Sequence, residues 1–441
     1  MFKTLVNAFK TPEIRKKLFY TLLLIIIFRI GCFITIPMVN LEAVSQLGEA
    51  SSSGITGLIN IISGGAFSRL SIFAMSITPY ITASIIVQLL AMIVPALERL
   101  TKEGGEEGRK KVDRITKIIS LVLAVVEGLG IYFSYQMNGI FIGTGFQTMA
   151  VVILSLVAGT SLLMWVGDKI TARGIGNGTS MLIFAGIVSS IPTAITSIVG
   201  LVTANGAFDT KGLIFALLIV LGVLVLVTGV VFVQLAERRI PVQYSKKVVG
   251  RKMVGAQNTH IPIKPAMASV MPIIFASSFM TFPALIIELV NPQIANTQGF
   301  WRVVYDLSIA TSSSSVGWNY VIINAVIYLL LIIGFTYFYT YATFNPLEVA
   351  ANIKRNGGFI PGIRAGKPTS DYLSSVLSKV VLFGGIFLAV IAIIPMFAKA
   401  TGLNTAFGGS SILILVGVAI ELEQQLESLL VMRHYKGFLN K

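Results

Sequence analysis

Cysteine occurs once in the 441 residues, at Cys32, so an intrachain disulfide framework and a Cys-rich metal site are both excluded. Histidine occurs twice; His260 and His434 sit in basic segments with no cysteine or carboxylate at ligand spacing. Charge is scarce too: 12% of residues are Asp, Glu, Lys or Arg, against about 25% in an ordinary soluble domain. The mean hydropathy of +0.84 goes with that deficit. No Walker loop, nucleophile elbow or HExxH pair is present, which removes the usual signals for phosphoryl transfer, acyl transfer and zinc hydrolysis. "RGIGNG" at 173–178 has the look of a phosphate loop, but it joins two apolar runs and not a strand to a helix. It reads as a tight turn, with Asn177 and the glycines supplying positive φ.

What is present is long apolar runs. Ten lie at about 18–36, 71–94, 114–135, 147–166, 179–200, 212–235, 268–290, 318–342, 374–396 and 409–430. Each is near the twenty residues that a tilted membrane helix needs. The opening, MFKTLVNAFKTPEIRKK, is polar and basic and not a cleavable signal, so the first span is expected to stay in the protein. A formal charge of +15 could point to nucleic acid, but its distribution points elsewhere. Setting aside Arg29, Arg69, Lys211, Arg302 and Lys399, the remaining 29 of the 34 basic residues fall on one set of alternating loops and the two ends. That asymmetry predicts cytoplasmic termini by the positive-inside rule. Ten spans divide as five plus five, residues 1–200 and 201–441, and an odd number per half suits an inverted repeat.

Two basic loops, 236–267 and 343–373, are long. Attraction to anionic lipid would need only their charge. Their Pro, Gly and apolar residues, as in "GGFIPGIRAG", suggest a shaped hairpin and a docking surface. The ionisable residues within the spans include Arg29, Glu127, Glu288, Glu421 and Glu423. Glu127 alone lies well inside a span, where it could serve an ion-coupled transporter or simply pair with Arg29 or another polar group. One further segment is odd. Ile55 to Phe67 is apolar but spans only roughly 20 Å as helix, short of a bilayer core of about 30 Å, and it ends at Ser63-Gly64-Gly65. It fits either an amphipathic segment on the outer surface or a re-entrant half-helix.

Several stretches together resemble a known family. "SIFAMSITPYITASIIVQLL" at 71–90, preceded by "SGGAFS", is similar to the central pore subunits of the bacterial protein-translocation channel, the SecY family. Matches follow in order: "FRIG" at 28–31, "RGIGNGTSMLIFAGIV" at 173–188, "ERRIPVQYSKK" at 237–247, "MPIIFASSFMTFP" at 271–283, "NPLEVAANIKRNGGFIPGIRAGKPT" at 345–369 and "FGGSSILILV" at 407–416. "IPMVN" at 36–40 departs from the family's turn, which carries a second Pro and a Gly.

The resemblance implies an all-α membrane protein whose ten helices form two inverted halves around an hourglass pore. It implies a re-entrant plug at about 55–67, with Gly57, Leu58, Ile59, Asn60, Ile61, Ile62, Ser63, Gly64 and Gly65 at its centre. The implied pore ring is Ile81, Ile85, Thr179, Ile183, Ile274 and Ile414, with Thr179 in place of the usual aliphatic residue. The second and seventh spans would border a lateral gate bearing Thr82, Ser84, Gln88, Ser277, Ser278 and Thr281, small polar groups that bind helices together weakly. Arg238, Arg239, Lys246, Lys247, Arg251, Lys252, Lys354, Arg355 and Arg364 would dock a motor or ribosome. The implied partners are the small subunits SecE and SecG, the ATPase SecA, the ribosome, signal peptides and unfolded preproteins, with anionic lipid around them. The implied place is the bacterial cytoplasmic membrane, and no enzymatic activity or cofactor is implied. The competing expectations are a secondary transporter with inverted repeats and a membrane scaffold with basic docking loops.

Overall fold

The computed structural model describes residues 2–40, 43–44, 60, 63–102, 104–136, 139–143, 145–203, 210–244, 247–249, 252–254, 258–267, 270–290, 299–310, 317–400 and 409–439. The plug candidates Gly57, Leu58, Ile59, Ile61 and Ile62 and the docking candidates Lys246 and Arg251 lie outside the described residues, and only the backbone is described for Lys247, Lys252, Glu288 and His434.

Helices dominate. Helix α1 (Phe2–Lys10) is short, and Thr11 leads into α2 (Pro12–Gly31), whose first residue suits a position that needs no N–H. Next come α3 (Thr78–Ile93), α4 (Pro95–Lys102), α5 (Gly105–Gln136), α6 (Phe146–Arg173), α7 (Gly178–Val202) and α8 (Thr210–Leu235). The second part holds α9 (Met271–Val290), α10 (Phe300–Ile309), α11 (Trp318–Thr343), α12 (Pro346–Arg355), α13 (Lys367–Ala400) and α14 (Gly409–Leu439). Among the described residues, six helices are long and apolar enough to cross a membrane, seven if α3 and α4, bent by 105° at Val94, count as one.

The first two spans differ from the sequence reading. Helix α2 ends at Gly31, so Cys32 caps it and is not inside it. The second span begins as helix only at Thr78, because residues 63–77 are a chain of turns. There the Ile72 amide donates to Ile34 O at 2.9 Å and the Ile36 amide to Leu70 O at 3.0 Å, so this segment pairs with the exit of α2. Leu70 and Ser76 carry positive φ of 43° and 51°, which no helix accepts.

The two long loops are not free of regular structure, so the fold is not purely α. Strand β1 (Arg238–Tyr244) lies between β4 (Asn258–Ile263) and β5 (Gly358–Phe359), antiparallel to both. Between β1 and β4 in the chain, β2 (Lys247–Val249) and β3 (Lys252–Val254) pair with each other, antiparallel. Ile240, Val242 and Ile263 of the sheet pack with Ala350 and Ile353 of α12 and with Leu373, Leu377 and Val381 of α13. The two loops therefore share one small core.

The central core joins α2, α3, α6, α7, α8, α9, α11, α13 and α14. Around it the apolar surface is open. Helix α8 has a mean hydropathy of 3.1 over its most apolar window, of which only 11% is buried, and Phe19, Leu22, Leu23, Ile26, Ile27 and Ile30 form an exposed column on α2. Such walls are stable in hydrocarbon, where the helix satisfies its own backbone.

Candidate functional site

Five of the six ring residues converge. Ile81 and Ile85 come from α3, Ile183 from α7, Ile274 from α9 and Ile414 from α14, and all are 2–7% exposed within one apolar cluster. Residues four apart share a helix face, which brings Ile81 with Ile85 and Thr179 with Ile183. On one side lies a cavity of about 530 Å³. Ile81, Ile183 and Ile274 line it together with half-buried Thr179, while Ser84, Gln88, Asp113 and Asp168 give it polar walls. Ile85 and Ile414 belong to the cluster but not to this lining.

On the other side of the ring stands the turn at Gly64. A Cβ placed there would lie 2.6 Å from Ser189 Oγ and 3.1 Å from Gly186 Cα, both on α7. With a rise of about 1.5 Å per residue, Thr179, Ile183 and Ser189 succeed one another along α7 over roughly 15 Å. The order is cavity, ring, then Gly64. Ala66, fully buried, belongs to the same cluster as the ring.

Local bonds explain the turn. Gly64 and Gly65 have φ of 66° and 85°, the region open to glycine. The Gly65 amide donates to Asn60 O at 2.8 Å, the Ser68 amide to Asn60 Oδ1 at 3.0 Å and the Phe67 amide to Ser63 Oγ at 3.2 Å. Helix α2 holds the turn from outside: Arg29 donates to Gly64 O, and the Cys32 thiol to Ser63 O at 3.6 Å. Arg29 also lies over the Phe33 ring at 5.1 Å. The proposed partner of Glu127 is thus engaged elsewhere, and Glu127 is half-buried on α5.

The gate residues lie on α3 and α9, which pack against each other. Their hydroxyls do not act as described glue between the two helices. Thr82 donates to Thr78 O at 3.1 Å, Ser277 to Ile274 O at 2.9 Å and Thr281 to Ser278 O at 3.0 Å, each within its own helix. Gln88 Nε2 donates to Ser84 Oγ at 3.1 Å, also within α3, and its side chain reaches Tyr339 of α11. Short hydroxyl side chains on helices reach the carbonyl one turn back, which competes with bonding across.

Two features lay outside the sequence reading. Lys117 Nζ of α5 stands 2.7 Å from both Asp113 Oδ2 and Asp168 Oδ2, tying α5 to α6 at the cavity wall. A partner 51 residues away leaves no local pattern. At the turn after α6, Asn177 has φ of −76° and caps α7, accepting from the Thr179 amide at 3.0 Å; only Gly176, at 86°, takes positive φ there. The Gly176 amide donates to Gln425 Oε1 of α14 at 2.5 Å.

The basic candidates are spread over the shared loop core. Arg238 and Arg239 are exposed on β1, with Arg239 Nε 2.5 Å from Glu237 Oε1, an ion pair that holds the Glu237 carboxyl below its usual range. Lys354 and Arg355 end α12, where cations favour a helix C-terminus. Arg364 is exposed between Gly362 and Gly366, at φ of 80° and 112°, with its carbonyl fixed by Thr369 Oγ1 at 2.8 Å.

Helices with lipid-facing walls, packed around a buried aliphatic cluster with a polar-walled cavity on one side and the Gly64 turn on the other, fit a membrane channel subunit. The comparisons agree. The SecY family model matches residues 71–422. The protein translocase subunit SecY of Streptomyces scabiei is 42% identical over 454 positions, and that of Halalkalibacterium halodurans 42% over 446, with the whole of each chain covered. A solved protein-conducting channel superposes with a TM-score of 0.64 at 20% identity, covering 93% of this chain and 91% of that one. Sec61 from a canine ribosome–channel complex gives 0.60 at 18% identity, with 93% and 91% covered. The chain belongs to the SecY family. It is a multi-pass membrane protein and a subunit of a protein-conducting channel, not an enzyme.

Proposed function

We propose that this chain is the pore subunit through which unfolded secretory polypeptides leave the cytoplasm, and that it releases apolar segments sideways into the bilayer. The observation that carries this is the axial order on α7: polar cavity, isoleucine ring, Gly64 turn. Aliphatic side chains dewet a constriction and so hold back ions. Their contacts are dispersion, without direction, so the same ring can fit many passing side chains. The Ser63–Gly65 turn is the anchored end of a plug seated behind the ring. Thr179 leaves one sector of the ring polar and facing the cavity.

The lateral gate runs between α3 and α9. The hydroxyls of Thr82, Ser277 and Thr281 are satisfied inside their own helices. Parting the helices would therefore strand none of these groups, and an orphaned buried polar group is the costly outcome. Ser84, Gln88 and Ser278 complete the seam. A signal peptide wedging in meets a contact in which these three hydroxyls lose no partner, while the Gln88–Tyr339 contact between α3 and α11 would have to give way.

Ten spans in two five-helix halves, 1–200 and 201–441, are the architecture proposed, with both termini cytoplasmic in a bacterial cytoplasmic membrane. The loop core carrying Arg238, Arg239, Lys354, Arg355 and Arg364, together with the candidates Lys246, Lys247, Arg251 and Lys252, would receive SecA or the ribosome. SecE would brace the two halves, with SecG as a further small partner. The test is reconstitution of this chain with SecE in vesicles: with SecA and ATP a precursor should become protease-protected. Saturable small-solute uptake driven by an ion gradient, with no protection of the precursor, would instead establish a transporter.

A further inference from the structure

Helix α1 has two unlike sides. Ala8 is buried with Ile14, Ile175 and Leu426, so one side is docked on the turn between α6 and α7 and on α14. Val6 and Phe9 point away and are each 48% exposed. Spaced three apart, they form one stripe. The stripe is not isolated. Phe9 meets Phe19 edge-on, centroids 6.5 Å apart, and Phe19 heads the exposed apolar column of α2. Lys10, Arg15, Lys16 and Lys17 are exposed at the junction of the two helices.

We propose that α1 is an interfacial helix, with its Val6–Phe9 stripe immersed at the edge of the acyl layer and these four cations holding anionic phospholipid headgroups. The proposal rests on α2 being the first span, since its apolar wall is then bathed in lipid and the α1 stripe continues that wall around a corner. An amphipathic helix of this kind buries its apolar face at the boundary of headgroups and acyl chains. Cations at that depth attract anionic lipid, an effect that falls off within a Debye length. The charge at the junction is thus complementary to phosphate, and a water-exposed Val6–Phe9 stripe beside a lipid wall has no such account.

The experiment uses the full chain with its membrane subunits in vesicles of phosphatidylethanolamine and phosphatidylglycerol. Cys32 is buried and stays in place, so that a fluorescent thiol label marks Val6→Cys, Asn7→Cys, Phe9→Cys or Leu23→Cys in turn. Brominated acyl chains should quench labels at 6, 9 and 23 about twofold or more over the label at 7, with iodide in the water doing the reverse. Quenching at 9 by brominated phosphatidylglycerol should exceed that by brominated phosphatidylcholine at equal mole fraction, and substituting Gln for Lys10, Arg15, Lys16 and Lys17 should remove the excess. Iodide access at 9 equal to that at 7 overturns the proposal, as does protection at 9 from both quenchers, which would mean a protein partner covers the stripe. Equal quenching by the two brominated lipids overturns the headgroup assignment. A label at 23 that lipid does not quench overturns the first span itself, whereas quenching at 23 without quenching at 9 defeats only the α1 proposal.

Discussion

Arg29, two residues before the end of α2, donates a hydrogen bond to the carbonyl of Gly64, 35 residues on. A bond from a charged donor contributes about 1.5–3 kcal/mol, and leaving the carbonyl unpaired adds to the loss. Arg29→Met should therefore raise the open probability of the resting channel in planar bilayers by roughly tenfold or more. Deleting residues 57–66 should raise it further while the protein still inserts. Openings as rare as in the parent, for both variants, would mean that this segment does not seal the pore.

The ring gives the second prediction. Ile81→Asn, Ile274→Asn or Ile414→Asn should wet the constriction and let poorer signal sequences through. Export of a reporter with a crippled signal peptide is the assay. Unchanged export in all three, at normal protein levels, would remove these residues from the pore.

Much of this was readable in the chain, and the failures have physical causes. The run at 212–235 nearly coincides with α8 (Thr210–Leu235), because an unbroken apolar stretch has no other stable state in lipid. The second span read seven residues too long, because backbone pairing between 34–36 and 70–72 overrides local hydropathy. The strands in the basic loops escaped notice because β1 and β5 lie more than a hundred residues apart and β1 and β4 each contain a proline, Pro241 and Pro262. The ring and plug came from family likeness; an isoleucine in an apolar helix carries no mark of where it points. The candidate gate hydroxyls lie on α3 and α9, and their bonding within those helices depends on which carbonyl lies in reach, which no sequence pattern shows.

The Lys117 clamp supplies a third prediction. Its three side chains are a third to a half exposed, so the coupling between Lys117 and Asp168 in a double-mutant cycle should be below about 1 kcal/mol and fall with added salt. Lys117→Met should cost more than Asp168→Asn, since it leaves two carboxylates facing each other. Thermal unfolding of the detergent-solubilised variants gives the comparison. A large, salt-independent coupling would mean the clamp is shielded from water.

Arg364 separates geometry from charge. Arg364→Glu should abolish motor-driven translocation with membrane assembly intact, and Arg364→Lys should keep only part of the activity, because lysine lacks the planar fork of donors. Lys367→Glu, the same charge change three residues on, should be much milder. Equal losses at 364 and 367 in ATP-driven import would assign the effect to loop charge as a whole.

The most direct measurement is a disulfide trap of the moving chain. A precursor with one cysteine and a folded C-terminal domain is stalled in vesicles containing Ile274→Cys, Ile183→Cys or Phe19→Cys. Ile274 and Ile183 line the cavity at the ring, whereas Phe19 belongs to the exposed column on α2. A polypeptide passing through the centre should form adducts at 274 and 183, dependent on ATP, and none at 19. Adducts at 19 alone, or at all three alike, would contradict a path through this ring.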